Sequence, residues 1–251
     1  MAAPVSLTLF AHIAGRPEDE LDLAEAALLI DDAAYPGLDI PHYLGVLDRL
    51  GGEARRAVDR PLRAAEATPG SGPIEQLLRW FYGDLGFHGN SGDYYDPKNS
   101  YLHEVLDRRT GIPITLAVVL LEVCWRAGLE AQGVSFPGHF LVRTPVRGGV
   151  LLIDPFEGRL LGRDDLRALH TRATGATRDP EPRLLVPAQK RQILVRLLNN
   201  LRSIYSSRSD ASRLRSVLER MQVLAPTDEL RKELDQLGGE RPWPSAGRDV
   251  N

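Results

Sequence analysis

The chain has 251 residues, of which 43% are hydrophobic and 26% are charged, so it can bury one sizeable core without disulfides or a structural metal. Its 31 basic and 34 acidic residues give a formal net charge of −3. This balance offers no general attraction to phosphate backbones or anionic membranes, so we expect neither nucleic acid nor a membrane as partner.

No segment of the sequence has the character of a membrane span or a secretion signal. The longest apolar stretch, 112–121, is interrupted by Pro113 and is shorter than the roughly 20 residues that a membrane helix needs. Residues 1–15 carry no lysine or arginine ahead of their apolar part, which argues against a signal peptide. The single cysteine, Cys124, cannot form an internal disulfide. These features predict a cytoplasmic protein.

The first third of the chain is predicted to be helical. Leucine and alanine recur at helical spacing within residues 18–67, in two segments that Tyr35-Pro36-Gly37 separates. A loop rich in proline and glycine at 69–73 precedes another predicted helix over 74–82. Residues 83–100 then form a predicted loop that is rich in glycine and aromatic residues.

The middle of the chain is predicted to contain a helix followed by antiparallel strands. Pro113 opens the helix, because proline lacks the donor that a first turn leaves unpaired, and Gly128 ends it. The predicted strands span 131–136, 140–143 and 150–153.

The turn between the last two strands decides which of their residues meet. If it is centred between Arg147 and Gly148, His139 lies opposite Phe156. Asp154 is then a diagonal neighbour of His139 on the same face, within side-chain reach. A slip of one residue would separate the two side chains.

The last part of the chain is predicted to be helical again. Residues 171–187 hold few apolar positions and several prolines and glycines, so we place a linker there. A helical region starts near Ala188, and its residues fit one tetratricopeptide frame of about 34 residues. The residues that fit it are Leu198, Leu201, Tyr205, Leu218 and Pro226. The tail, 238–251, is predicted to lack regular structure.

Three stretches carry a family resemblance: the run from Asn99 to Leu116, Gly133-Val-Ser-Phe-Pro-Gly-His-Phe-Leu, and Ile153-Asp-Pro-Phe. With their flanking helices they resemble the transglutaminase-like bacterial family named for the SirB-one regulator. The resemblance implies an α+β fold in which a papain-like transglutaminase core, a helix packed on a small antiparallel sheet, carries N-terminal helices and a C-terminal tetratricopeptide-like extension.

The resemblance also implies an organisation along the chain. Residues 1–170 form the transglutaminase-like domain with its N-terminal helices, and 171–187 form the linker. Residues 188–237 form the helical extension, and 238–251 form the irregular tail.

The wider transglutaminase-like superfamily uses a cysteine at a helix start, a histidine on a strand and an aspartate on the next strand. The helix amino terminus and the histidine lower the pKa of the thiol, which makes it a nucleophile. The resemblance places His139 and Asp154 at the histidine and aspartate positions. It places Pro113, fifteen residues before Gly128, at the cysteine position. The implied site is a vestigial dyad without its nucleophile.

Three other residues could supply a nucleophile. Cys124 lies about 16 Å further along the helix among apolar neighbours, so a buried, inert thiol is expected. Thr115 lies in the first turn and could face His139, although threonine nucleophiles usually need a terminal amine as base. Ser135 would lie about 13 Å from His139 in an unbroken strand, unless the chain turns at Pro137-Gly138. Thr115 is therefore the possible substitute.

Four residues of the preceding loop are candidate binding residues. Asn90, Asn99 and Ser100 belong to the loop pattern that the resemblance implies, and Tyr101 follows them directly. The alternative is that Asn99 and Ser100 cap the helix that begins near Tyr101.

No metal or cofactor is predicted. The side chains that could in principle gather a metal have irregular spacing, which matches no zinc or calcium signature. They are His88, Asp93, Asp96 and His103.

Three functions stay open. The retained fold and the missing nucleophile favour a non-catalytic protein that acts through protein contacts in a regulatory or scaffolding role. The alternative is an enzyme of altered chemistry, a hydrolase or an amide or acyl transferase, in which His139 and Asp154 activate water or a substrate hydroxyl. The third is a peptide or amide binder without turnover. The partner's identity and the oligomeric state do not follow from the sequence.

Overall fold

The computed structural model describes residues 5–59 and 72–238. Within these two ranges the chain forms ten α-helices: α1 (Val5–Ala14), α2 (Leu23–Asp32), α3 (Ile40–Val58), α4 (Gly72–Leu78), α5 (Leu102–Arg108), α6 (Pro113–Ala127), α7 (Arg163–Thr174), α8 (Lys190–Ser207), α9 (Ala211–Leu224) and α10 (Asp228–Gln236). None of these helices has the length and apolar character needed to cross a membrane.

The strands form two small sheets, so the fold is of the mixed α+β type that the sequence predicts. One sheet is a parallel pair, and the other is antiparallel with the strand order β3-β4-β5-β6. The strands are β1 (His88–Gly89), β2 (Thr110–Gly111), β3 (Gln132–Val134), β4 (Leu141–Val146), β5 (Gly149–Asp154) and β6 (Arg159–Leu161).

Helix α6 lies at the centre of the core. All of its residues except Trp125 and Arg126 are buried, as expected for a helix that is apolar on every side. It packs against α3, α5 and α8 and against the antiparallel sheet. Pro113 is its first residue, and Gly128 ends it in the left-handed conformation with φ +81°. Both predicted ends are confirmed.

The contact between α3 and α6 is close because α3 carries a glycine at the crossing point. A Cβ added to Gly51 would overlap the Cβ of Arg126 and would lie 3.3 Å from its Cγ and Cδ. Arg126 bonds in turn to Asp48 of α3, with 2.8 Å between Nε and Oδ1. The two helix backbones therefore approach each other where only glycine fits.

The register of the β4–β5 hairpin is the predicted one. Val142 pairs with Ile153 and Arg143 pairs with Leu152, which centres the turn between Arg147 and Gly148. Strand β3 is shorter than predicted, because the chain turns after Val134. There the Phe136 N–H donates to the Val134 carbonyl at 3.0 Å.

Several short or polar elements were not predicted from the sequence. Strand β6 has three residues, and α7 is mostly polar, so neither has a clear hydrophobic period. The helix predicted over 74–82 is present, but its second part is a π-helical turn, Arg79–Asp84, which extends two residues into the predicted loop. The predicted linker 171–187 begins inside the last turn of α7 and contains a 3₁₀ turn, Pro182–Leu185. The division into domains stays a prediction.

The predicted helical region 18–67 forms α2 and α3, separated near Tyr35-Pro36-Gly37 as expected. Part of it, 60–67, lies outside the described residues. So do 69–71 of the predicted loop and 239–251 of the predicted tail.

Helices α8 and α9 pack on each other and onto the main core. The hydroxyl of Tyr205 in α8 hydrogen-bonds to that of Tyr101, beside α5. The segment leading into α8 also touches the sheet, because the Ala188 N–H donates to the Gly133 carbonyl of β3 at 2.8 Å. A tetratricopeptide identity for this helix pair stays a prediction.

Candidate functional site

The predicted dyad is joined by a hydrogen bond. His139 lies two residues before β4 begins, and Asp154 is the last residue of β5. The His139 Nε2 is 2.9 Å from the Asp154 Oδ1. The side chain of His139 is 15% exposed and that of Asp154 is 3% exposed, so the pair opens to solvent on the histidine side.

Asp154 is held as a carboxylate. Its Oδ1 also accepts the N–H groups of Phe156 at 2.9 Å and Glu157 at 3.2 Å. Burial alone would raise the pKa of Asp154, but the hydrogen bond and charge of His139 and the two backbone donors outweigh burial, so this pKa lies below its usual value.

The ionised Asp154 fixes the orientation of the imidazole ring. Because the carboxylate accepts, the His139 Nε2 donates to it, and in the neutral form of the ring Nδ1 carries the lone pair. Among the described residues, nothing hydrogen-bonds to Nδ1. The arrangement can therefore accept a proton from a group placed at Nδ1.

The turn after Asp154 is packed beneath two aromatic rings. The Tyr82 hydroxyl donates to the Pro155 carbonyl at 3.1 Å. Gly158 has φ +69°, and a Cβ there would lie 2.7 Å from the Tyr82 ring. A Cβ on Gly89 would lie 2.5 Å from the ring of Phe156. Because Gly158 and Gly89 have no side chains, the rings can pack close to the backbone. This packing holds the loop whose N–H groups donate to Asp154.

The loop before β4 is held by Arg196 of α8, a residue that the sequence did not single out. Its guanidinium donates to the carbonyl of His139 at 2.6 Å, to that of Phe136 at 3.1 Å and to the Ser135 Oγ at 2.8 Å. The chain does turn at residues 137–138. Ser135 nevertheless bonds to Arg196 and not to His139, so no Ser-His-Asp triad forms.

The position at which the resemblance places the superfamily's cysteine holds no reactive group. Pro113 is buried at the start of α6. Thr115 is fully buried, and its Oγ1 has no hydrogen-bond partner among the described residues. Cys124 is 1% exposed, and burial raises the pKa of its thiol to about 12, so the thiol stays protonated and inert as expected.

The four candidate binding residues hold the loop before α5. Asn90 Nδ2 donates to the Asn99 Oδ1 at 3.1 Å, and Asn99 donates to the Asp93 carbonyl at 2.7 Å. Asn99 and Ser100 are fully buried, and Tyr101 is 3% exposed. Neither Asn99 nor Ser100 caps α5, because no side chain makes a cap hydrogen bond there. Ligand binding by these residues stays a prediction, and their burial argues against it.

The residues considered for a metal are scattered. His88 lies near Gly86 and Thr110, and His103 pairs with Asp31. In the part of the chain that the structure describes, no three His, Cys, Asp or Glu side chains lie together as a metal site would require.

A buried acid, Asp31, was missed by sequence reasoning. Its Oδ2 accepts the backbone N–H of His103 and is 2.8 Å from the His103 Nδ1, which ties α2 to α5. Burial raises the pKa of Asp31 to about 6, although the hydrogen bonds and charge of His103 oppose this. The two residues lie far apart in the sequence, and no local pattern pairs them.

Replacing Asp31 by asparagine is expected to remove a pH-dependent loss of stability. The folded protein holds this proton more tightly than the unfolded chain, in which the pKa of Asp31 is near its ordinary value of 3.8. The stabilisation that this tightly held proton gives the folded protein is therefore complete below about pH 4, and it is lost as the pH rises through about 6. Relative to Asp31→Asn, the native free energy of unfolding should fall by about 2–3 kcal/mol between pH 4 and 7.5. Urea unfolding of both proteins measures this, and a pH-independent difference would contradict it.

Comparison with known proteins identifies the family of this chain. Residues 41–199 match the family model described as the Transglutaminase-like superfamily. A UPF0162 protein of Xylella fastidiosa (strain Temecula1) is 38% identical over 235 residues, which cover 90% of this chain and 80% of the relative. A UPF0162 protein of Vibrio cholerae is 30% identical over 188 residues, which cover 74% of this chain and 67% of the relative.

A mouse protein is similar to about half of the chain. The F-box only protein 21 of Mus musculus is 48% identical over 144 residues, which cover 51% of this chain and 23% of that protein. No solved structure matches the chain. The matched family model covers more than half of the residues and includes both members of the dyad, and the chain therefore belongs to the transglutaminase-like superfamily.

Proposed function

We propose that this protein is a non-catalytic, SirB-one-type member of the superfamily that acts in the cytoplasm through contacts with another protein, in a regulatory or scaffolding role. The observation that carries the proposal is that α6 begins with Pro113, which has no reactive atom, where the resemblance places the superfamily's nucleophile. The nearest substitutes do not replace it, since Thr115 is fully buried and Ser135 bonds to Arg196. Without a thiol or hydroxyl beside it, a histidine held by a carboxylate can act as a base, but it lacks the partner that forms the superfamily's acyl intermediate.

Two further features support a role in protein contacts. The region shared with F-box only protein 21 makes up 23% of that protein, so a domain of this kind also serves as one part of a longer chain. The α8–α9 pair supplies a helical surface of the kind that tetratricopeptide repeats use. The net charge of −3 favours a protein partner over nucleic acid.

An enzyme of altered chemistry is the second candidate. It is favoured by one observation: the His139 Nδ1 has no partner among the described residues, and the side chain is partly exposed. In that case His139, oriented by Asp154, acts as general base toward a water molecule or a substrate hydroxyl. A peptide or amide binder uses the same opening without turnover.

A turnover assay separates these candidates. Native protein and His139→Ala are incubated with casein and a fluorescent primary amine to detect acyl transfer, and with peptide amides to detect hydrolysis. We expect both proteins to show the same background rate, because the site has no nucleophile. Turnover by the native protein that His139→Ala abolishes would favour the enzyme and overturn the proposal.

A further inference from the structure

A groove of about 700 Å³ lies next to the loop that carries His139. It is lined by residues of the first half of α8 and by Leu224 and Ala225 at the end of α9. Ser135, in the loop before β4, also lines it. The groove is thus built between the sheet loop and the C-terminal helices.

The groove is lined by cations and amides. The polar lining comprises two arginines, four carboxamides and one hydroxyl group, and no described residue that lines it is acidic. The chain as a whole carries 34 acidic residues and a net charge of −3, so an acid-free groove with two arginines departs from the average surface. Its charge is complementary to a carboxylate.

The two arginines of the groove differ in their partners. Arg191 pairs with Glu18, with 3.3 Å between Nη1 and Oε2. Arg196 donates only to neutral oxygens, and no described carboxylate forms an ion pair with it. Burial lowers the pKa of Arg196, with a smaller opposing effect from Tyr94. A half-buried cation without an anion is costly, and a bound carboxylate would compensate for it.

We propose that this groove binds an extended, acidic segment of a partner protein, with a carboxylate against Arg196 and peptide groups against the carboxamides of α8. This assignment rests on the proposed function and deepens it, because it names the chemistry of the partner segment. Carboxamides both donate and accept, so they match the N–H and C=O groups of a peptide backbone.

The spacing along α8 fits a short extended peptide. Gln192, Arg196 and Asn199 lie on one face at intervals of four and three residues. From Gln192 to Asn199 the helix rises about 10 Å, which is the length of about three residues of extended chain. Arg196 is a single guanidinium that has no described ion-pair partner and lies among amides. It therefore suits one carboxylate within such a segment better than the several charges of a polyphosphate.

Arg196 also connects the groove to the dyad. The same guanidinium that faces the groove donates to the His139 carbonyl at 2.6 Å. A carboxylate that attracts this guanidinium therefore acts on the loop that holds the imidazole. Binding in the groove should change the NMR signal of the His139 ring, although the peptide does not touch it.

The experiment uses fluorescein-labelled hexaglutamate as probe, with hexaglutamine as the neutral match. Fluorescence anisotropy at low salt compares the full native chain with Asn199→Asp, Arg196→Gln and Gln236→Glu. Asn199 and Gln236 are both exposed, and the second lies outside the groove, so the two acidic variants have equal net charge. We expect Asn199→Asp and Arg196→Gln to weaken hexaglutamate binding about tenfold or more, and Gln236→Glu to change it less than about twofold.

The result is decided even where Arg196→Gln does not fold, because Asn199→Asp removes none of the groups to which Arg196 donates. Equal binding by Asn199→Asp and Gln236→Glu overturns the groove assignment. So does hexaglutamine binding as tight as that of hexaglutamate, or no saturable hexaglutamate binding by native protein. Displacement of hexaglutamate by a lower concentration of inorganic tripolyphosphate identifies a phosphate site and overturns the peptide assignment. None of these results bears on turnover, so the proposed function is tested separately.

Discussion

Replacing Pro113 by cysteine is expected to create a thiol that reacts with iodoacetamide at pH 6 about tenfold faster than free cysteine. Position 113 is the first residue of α6, where the helix amino terminus favours a thiolate. The resemblance places His139, held by Asp154, beside this position, where it would stabilise the thiolate further. At pH 6, lowering a thiol pKa from about 8.5 to about 6.5 raises the thiolate fraction from below 1% to about a quarter. The lower nucleophilicity of a more acidic thiolate offsets part of that gain.

The native chain has little background reactivity in this measurement. Its single cysteine is buried, with a thiol pKa raised to about 12, so the background alkylation should be negligible. The matched control is Pro113→Cys combined with His139→Gln, which keeps the new thiol and removes the base. If both proteins are alkylated, and at the same rate, position 113 does not face the dyad, and Pro113 does not occupy the nucleophile position.

Replacing Gly51 by alanine is expected to lower the free energy of unfolding by about 2–3 kcal/mol. The added methyl would overlap the Cβ of Arg126, which is fixed to the backbone of α6 and cannot rotate away. The two helices must then move apart, and the buried core around α6 loses packing. The gain in helix propensity, about 1 kcal/mol, is too small to compensate.

Gly52 is the matched control on the same helix. A Cβ there would meet only the Arg56 Nη1 at 3.9 Å, the end of a flexible side chain. Gly52→Ala should therefore raise the free energy of unfolding by about 0.5–1 kcal/mol, because it keeps only the propensity gain. Urea unfolding of both variants measures the difference. Changes of the same sign and size would show that the α3–α6 crossing tolerates a side chain.

The parts of the fold that short-range patterns determine could be predicted. Pro113 and Gly128 mark the ends of α6 by their own backbone preferences, and both ends are where the sequence predicts them. The β4–β5 register follows from a turn at Arg147 and Gly148, since pairing proceeds outward from the turn. The closeness of His139 and Asp154 is a consequence of that register. The function of the pair stays a prediction.

The parts of the fold that depend on contacts between residues distant in sequence could not be predicted. Arg196 reaches carbonyls 57 to 60 residues earlier in the chain, and Asp31 bonds to a histidine 72 residues later. Their neighbours in sequence give no sign of either contact. Helix α7 was missed for another reason: only Leu166 and His170 of its residues are buried, so it lacks a hydrophobic stripe.

The bond between Ala188 and Gly133 limits how a partner can attach to this protein. A strand at the edge of a sheet normally offers its free backbone groups to another chain, and many peptides bind by extending a sheet in this way. Here the chain's own segment occupies the middle of the β3 edge. A Cβ on Gly133 would also lie 2.7 Å from the ring of Phe140 and 3.0 Å from the Cδ1 methyl of Ile193. At the opposite edge, β6 offers three residues, Arg159–Leu161. Strand addition at β3 is therefore blocked, and a partner on that side must be recognised by side chains.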